Sequence, residues 1–136
     1  MERQSKRSGL ERLFLMTSIF SIATGASLLV SGASGALARQ VIELLLLHRP
    51  DVPVIATTRQ PHQLKDLAAR GVSVRFADFD QPESLDAAIQ GASRMLLVST
   101  NTPDAPPRRA TQHGNAIEAA RRCGVQHVVY TSFATA

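Results

Sequence analysis

The stretch Ser31-Gly-Ala-Ser-Gly-Ala-Leu-Ala38 has residue types and a spacing fit for holding a phosphate. Its pattern, G-x-x-G-x-x-A, places a glycine at Gly32 where a chain would turn sharply. A second glycine, Gly35, lets the backbone approach a pyrophosphate with no side chain between them, and the small Ala38 lets a following helix lie close to a sheet. Such a helix would offer the free N–H groups of its first turn, so Gly32, Ser34, Gly35, Ala36 and Leu37 form one candidate phosphate-binding stretch. A second signal lies at Thr57-Thr-Arg59. Where an Asp or Glu would bond a ribose 2′-hydroxyl, this chain has none. Arg59 is suited instead to a ribose 2′-phosphate, or else is an ordinary surface arginine; Arg39 is a second candidate for the same charge. A glycine pattern alone is weak, and its meaning depends on the elements around it.

Those elements alternate. Ser27–Ser31 is a short apolar run stopped by Gly32, hence a buried strand. Ala36–His48 follows with Leu37, Val41, Leu44, Leu45 and His48 at helical spacing, ended by Pro50. Val54–Thr58 is a second strand, and Pro61–Arg70 a helix whose inner stripe would be Leu64, Leu67 and Ala68. Val72–Ala77 is a third strand, interrupted by Arg75. Asp80-Gln-Pro-Glu83 has the form of a capping box, opening a helix over Leu85, Ala88 and Ile89. Arg94–Val98 is a fourth strand, Asn101–Pro107 a Pro-rich loop, and a helix then runs to Arg122 with Arg121 and Arg122 at its negative end. Val125–Thr131 is a fifth strand. Strands joined by helical crossovers pair in parallel, and right-handed crossovers cover both faces. The expectation is an α/β, Rossmann-type, doubly wound parallel sheet of five strands in the order 3-2-1-4-5, with a ligand at the carboxyl ends beside strand 1. The glycine loop then follows a strand and opens a helix, the context its pattern needs.

Composition narrows the function classes. The 136 residues are 44% hydrophobic and 19% charged, as in an ordinary globular domain. The net charge of +4 is scattered and lacks aromatic interleaving, so no nucleic-acid partner is expected. Cys123 is the lone cysteine, which excludes an internal disulfide framework and a multi-cysteine metal site. His113 and His127 have no carboxylate or cysteine arrangement for a metal or hydrolase site and read as surface or helix-packing residues. Residues 1–26 read as a leader, disordered or cleaved, or as sequence upstream of a true start at Met16. A basic stretch from Arg3 to Arg12 before the apolar Leu13–Ala23 leaves a secretion signal open; polar residues such as Thr17, Ser18 and Ser21 argue against a stable membrane span.

Several segments carry a resemblance in order: Ser31-Gly-Ala-Ser-Gly35, Thr58-Arg-Gln-Pro61, Gly71-Val-Ser-Val-Arg-Phe-Ala-Asp-Phe-Asp80, Leu85-Asp-Ala-Ala-Ile-Gln-Gly91, Leu96-Leu-Val-Ser-Thr100, Gln112-His-Gly-Asn115 and the run from Ala119 to Ser132. From about Ser27 the chain resembles the NmrA-like, quinone-oxidoreductase branch of the atypical short-chain dehydrogenases. The resemblance implies an NADP (NADPH) cofactor, hydride transfer to a quinone or similar small acceptor, and a cytoplasmic protein. It puts Asp78 and Phe79 beside the adenine, Ser99 and Thr100 on the nicotinamide ribose, and Thr131 and Ser132 beside the nicotinamide. Each has a plain alternative: Asp78 as the cap of a turn, Ser99, Thr100 and Ser132 as strand ends. Ala38 replaces the family's third glycine, and Ser31-Gly32 its usual Thr-Gly. No catalytic residue is identified, because Tyr130 lies inside a strand and no Tyr-x-x-x-Lys pair occurs. Family members continue with a sixth strand and a substrate region, so residues 27–136 are expected to be a cofactor-binding domain incomplete at its C-terminus. Its strand 5 edge would then be open to self-association. A non-catalytic nucleotide-binding or redox-sensing role is the competing reading.

Overall fold

Alternation of side chains along a strand decides where each residue of this sheet is buried. In β1 (Leu28–Val30), Leu29 and Val30 point to opposite faces and each enters a separate core. The computed structural model describes residues 27–99 and 106–131; the leader, Thr100 and Ser132 lie outside these. The strands β2 (Val54–Thr58), β3 (Ser73–Phe76), β4 (Arg94–Leu97) and β5 (His127–Tyr130) join β1 in a five-stranded sheet of order β3-β2-β1-β4-β5. Every pairing is parallel, with Leu28 opposite both Val54 and Arg94. Fold class and strand order are as the alternating sequence predicts.

On one face lie α1 (Ala36–His48) and α2 (Lys65–Ala69), the latter preceded by a 3₁₀ turn over Pro61–Leu64. Val30, Ala56, Ile42 and Leu67 are among the residues buried there. On the other face lie α3 (Leu85–Ile89) and α4 (Pro106–Arg122), over Leu29, Ile55, Met95 and Leu97. Burying a side chain such as Leu67 or Leu85 contributes roughly 1.5–3 kcal/mol. Among the described residues no helix is long and apolar enough to cross a membrane.

Four local expectations are corrected. Of the α1 stripe Leu37, Val41, Leu44, Leu45 and His48, only Val41 and Leu45 pack against the core; Leu37, Leu44 and His48 are exposed, and Ala38 and Ile42 are buried instead. Leucine, isoleucine and valine occupy nearly the whole circumference of this helix, so periodicity alone cannot select the inward arc. Leu64 and Leu67 are buried as expected, but Ala68 is exposed, and the segment Pro61–Arg70 divides into the 3₁₀ turn and α2. The capping box does not form. The turn before α3 is a 3₁₀ segment, Pro82–Ser84, flanked by Gln81 with no side-chain cap, and the Asp80 carboxylate is turned toward α4. Finally, α4 begins at Pro106, inside the stretch read as loop, as proline in a first helical turn allows. Arg75, which seemed to interrupt β3, instead donates from Nη1 to the carbonyls of Ala88 (3.0 Å) and Gln90 (2.6 Å) at the end of α3.

The corrected face of α1 has a measurable consequence. Ile42→Ala is expected to cost about 2–5 kcal/mol and Leu44→Ala less than about 0.5 kcal/mol in urea unfolding. Equal costs would restore the stripe read from periodicity.

Candidate functional site

The carboxyl end of β1 is where its two neighbours part. Ser31 N–H donates to Leu96 O of β4 (3.1 Å), whereas Ala33 N–H donates to Thr57 O of β2 (3.0 Å). Ser31, fully buried, also accepts the Val98 N–H on Oγ (2.9 Å). Between these attachments Gly32 adopts φ +63°, a conformation strained by about 1–2 kcal/mol for a side-chain-bearing residue. Gly35 then donates its N–H to Gly32 O (2.9 Å), and its own carbonyl accepts the Arg39 N–H (3.0 Å), starting α1. A Cβ built on Gly35 would sit 3.3 Å from Gly32 O, so the loop would have to give by a few tenths of an ångström to take one. Gly35 provides no side-chain cap, and the first turn of α1 holds no acidic residue. The positive end of the helix is therefore open to solvent or to an anionic ligand.

Beside this loop opens a cleft of about 400 Å³. The loop lines it with Gly32, Ser34 and Gly35, and the end of β2 with Thr57, Thr58, Arg59 and Gln60. Ala77, Asp78 and Phe79 follow β3, Val98 and Ser99 follow β4, and Arg108 and Gln112 reach in from α4. Thr58 holds two of these walls together, its hydroxyl bonding Ser34 Oγ and accepting the Gln60 N–H (3.0 Å). That turn sets the position of Arg59, for which no acceptor is found among the described residues.

Of the residues named from sequence, Gly32, Ser34, Gly35, Arg59, Asp78, Phe79 and Ser99 meet in this cleft. Ala36 and Leu37 are in the first turn of α1 but do not line it. Thr131 stands behind the wall, accepting the Ser99 N–H on Oγ1 (2.8 Å). Arg39 is engaged elsewhere, paired with Asp66 and with Glu43 (3.3 Å), and is not a lining residue. Asp78 does cap a turn, accepting the Asp80 N–H (2.9 Å), while also facing the cleft. Sequence reasoning gave no site role to Thr58, Arg108 or Gln112. Thr58 was findable as a hydroxyl at a strand end. Arg108 and Gln112 were not, because only the tertiary fold brings α4 to the end of β3.

The electrostatics follow from these contacts. Asp80 is held below the ordinary carboxylate range, first by hydrogen bonds from Arg108 and then by Gln112 and the nearby charges of Arg108 and Arg59, against a cost of burial. His113, next to the cleft-lining Gln112 on α4, is buried and lies 2.8 Å through Nδ1 from the Tyr130 hydroxyl, ring edge to face. Burial, and then the Arg109 charge, push its pKa below the usual histidine value.

A family model described as NAD(P)H-binding matches residues 32–136. Quinone oxidoreductase 2 of Escherichia coli K12 is 39% identical over 103 residues, covering 76% of this chain and 35% of that protein. An NmrA-like family domain-containing oxidoreductase of Aspergillus flavus is 32% identical over 105 residues, covering 76% and 34%. The crystal structure of Citrobacter sp. triphenylmethane reductase complexed with NADP(H) superposes with a TM-score of 0.75 at 40% identity, covering 79% of this chain and 38% of that one. The chain thus spans about a third of the length of the curated relatives it matches.

The lowered pKa of His113 predicts an acid-side loss of stability. The unfolded chain takes up a proton near pH 6.5, where the folded one does not, so stability falls as pH drops below about 6.5 and down to the folded pKa. His113→Gln should flatten that part of the profile in urea melts at stepped pH. An unchanged profile would show that another group governs it.

Proposed function

The chain belongs to the NAD(P)H-binding family, and from that premise we propose that it binds NADPH across the carboxyl ends of β1, β2 and β4. In this reading it is the cofactor-holding part of an oxidoreductase that reduces a quinone or similar small acceptor. The observation that carries the proposal is Arg59: a guanidinium at the end of β2, in one cleft with Gly32 and Gly35, with no acid beside it on that strand. The fit of the dinucleotide rests on the chain's own geometry. The uncapped end of α1 and the close approach at Gly35 suit the pyrophosphate, and Arg59 suits the 2′-phosphate. Asp78 and Phe79 would flank the adenine, and Ser99, Thr100, Thr131 and Ser132 the nicotinamide end. Thr131 would act through its bond to the Ser99 amide, keeping that strand end in place.

When bound, the nicotinamide supplies a hydride; the protein's part is to orient it. The likeness to Escherichia coli quinone oxidoreductase 2 supports a quinone-like acceptor, and no side-chain nucleophile is assigned. Residues 27–136 are proposed as the domain that does this.

Two measurements test the reading. Removing the charge-assisted contact at Arg59 should cost NADPH about 1.5–3 kcal/mol, roughly 10- to 150-fold in Kd, while NADH binding changes little. Calorimetric titration of both cofactors against Arg59→Ala reads this directly, and equal wild-type affinities or an unchanged preference would defeat it. Gly35→Val should abolish binding of either cofactor with far-UV circular dichroism barely altered. Wild-type affinity in that variant would reduce the loop to a turn.

We also infer that the 136-residue chain associates through β5. All four residues of this edge strand are exposed, Val129 by 63%, and no proline blocks pairing. Light scattering should give a concentration-dependent mass that Val129→Lys lowers; a monomer at every concentration would contradict this.

A further inference from the structure

The acid that fails to cap α3 carries a second role. Both oxygens of Asp80 are taken by α4. Oδ1 accepts from Arg108 Nε (3.3 Å) and Gln112 Nε2 (3.1 Å), and Oδ2 from Arg108 Nη2 (2.7 Å). This fork is a directional, charge-assisted contact, and it joins the segment after β3 to the first turns of α4. Arg108 and Gln112 line the same cleft as Arg59. A carboxylate free to pair with Arg59 would compete with a ribose 2′-phosphate for that cation and repel the phosphate. Here an acid follows β3 within reach of the Arg59 charge, yet both its oxygens are engaged by α4.

We propose that Arg108 is a positioning residue for coenzyme selectivity: by holding the Asp80 carboxylate against α4, it keeps Arg59 available to a ribose 2′-phosphate. The proposal rests on the NADPH reading of the cleft and adds what makes that reading compatible with a nearby acid. The Asp80 side chain is one-third exposed, and its hydrogen bonds to Arg108 and Gln112 hold it against α4. The Arg59 charge already acts on it, and the two would pair once Arg108 let go. With Arg108 in place the formal charges of the three groups sum to +1. Without it the sum is zero.

Four proteins decide the matter: wild type, Arg108→Gln, Asp80→Asn and the double variant, each titrated with NADPH and with NADH. Arg108→Gln should lower the NADPH-over-NADH preference about tenfold, the scale of one charge-assisted contact. The double variant should return to within about threefold of wild type, since no carboxylate remains to capture Arg59. A double variant as weak as Arg108→Gln would mean that Arg108 touches the cofactor itself and would overturn the proposal, as would an unchanged preference in Arg108→Gln. Should Arg108→Gln fail to fold, Asp80→Asn alone still decides. The proposal requires it to keep or raise the preference, and a fall would refute it. Wild type that prefers NADPH and loses the preference in Arg59→Ala, but keeps it in Arg108→Gln, sinks this inference and leaves the site reading standing. Wild type without NADPH binding overturns both.

Discussion

The rest of the structure depends on the backbone hydrogen bonds at the carboxyl end of β1. A parallel strand whose neighbours lead away to helices on opposite faces must leave a gap where they separate. Here the gap opens between the Ser31 N–H, tied to Leu96 O, and the Ala33 N–H, tied to Thr57 O. The reversal from β4 to β2 takes place across one residue, Gly32, whose positive φ turns the chain from one neighbour to the other. Burial of Leu29 on one face and Val30 on the other fixes the strand's orientation, because a slip by one residue would exchange two cores.

The chemistry of the cleft is largely supplied by what that constraint leaves unsatisfied. The uncapped first turn of α1 presents N–H donors at the gap, and no acidic side chain neutralises them. The Ser34–Thr58 hydroxyl contact ties the glycine loop to the end of β2, so loop and Arg59 are positioned together. Asn115 Nδ2 donates to Phe79 O (2.9 Å), and Thr131 steadies the Ser99 amide. These contacts hold the lining segments in place without placing a charged side chain between them and a ligand.

Sheet order and the glycine loop were legible because their signals are local: apolar runs at regular spacing, and Gly32 and Gly35 directly after one of them. Arg59 was legible for the same reason, standing at the end of a readable strand. The inward face of α1 was not, since Leu37, Leu44 and Leu47 are as apolar as the residues that are buried. Asp80 misled because a capping box is defined by sequence spacing, while its carboxylate found better donors 28 and 32 residues away. Such a pairing leaves no trace in local pattern. The two errors have one physical source: where several partners are chemically acceptable, tertiary proximity chooses.

A dinucleotide bound as proposed would sit at the carboxyl ends of the strands, over the β1–α1 turn. Titrating the isotopically labelled chain with NADPH while following its backbone amide resonances tests this most directly. Amides of Gly32 through Leu37 and of Arg59 should shift together and saturate, since the proposed pose puts them nearest the phosphates. Those of Val52, Ala92 and Val125, at the amino ends of the strands, should stay in place. Saturable shifts gathered at the amino ends, or none at all, would contradict the account.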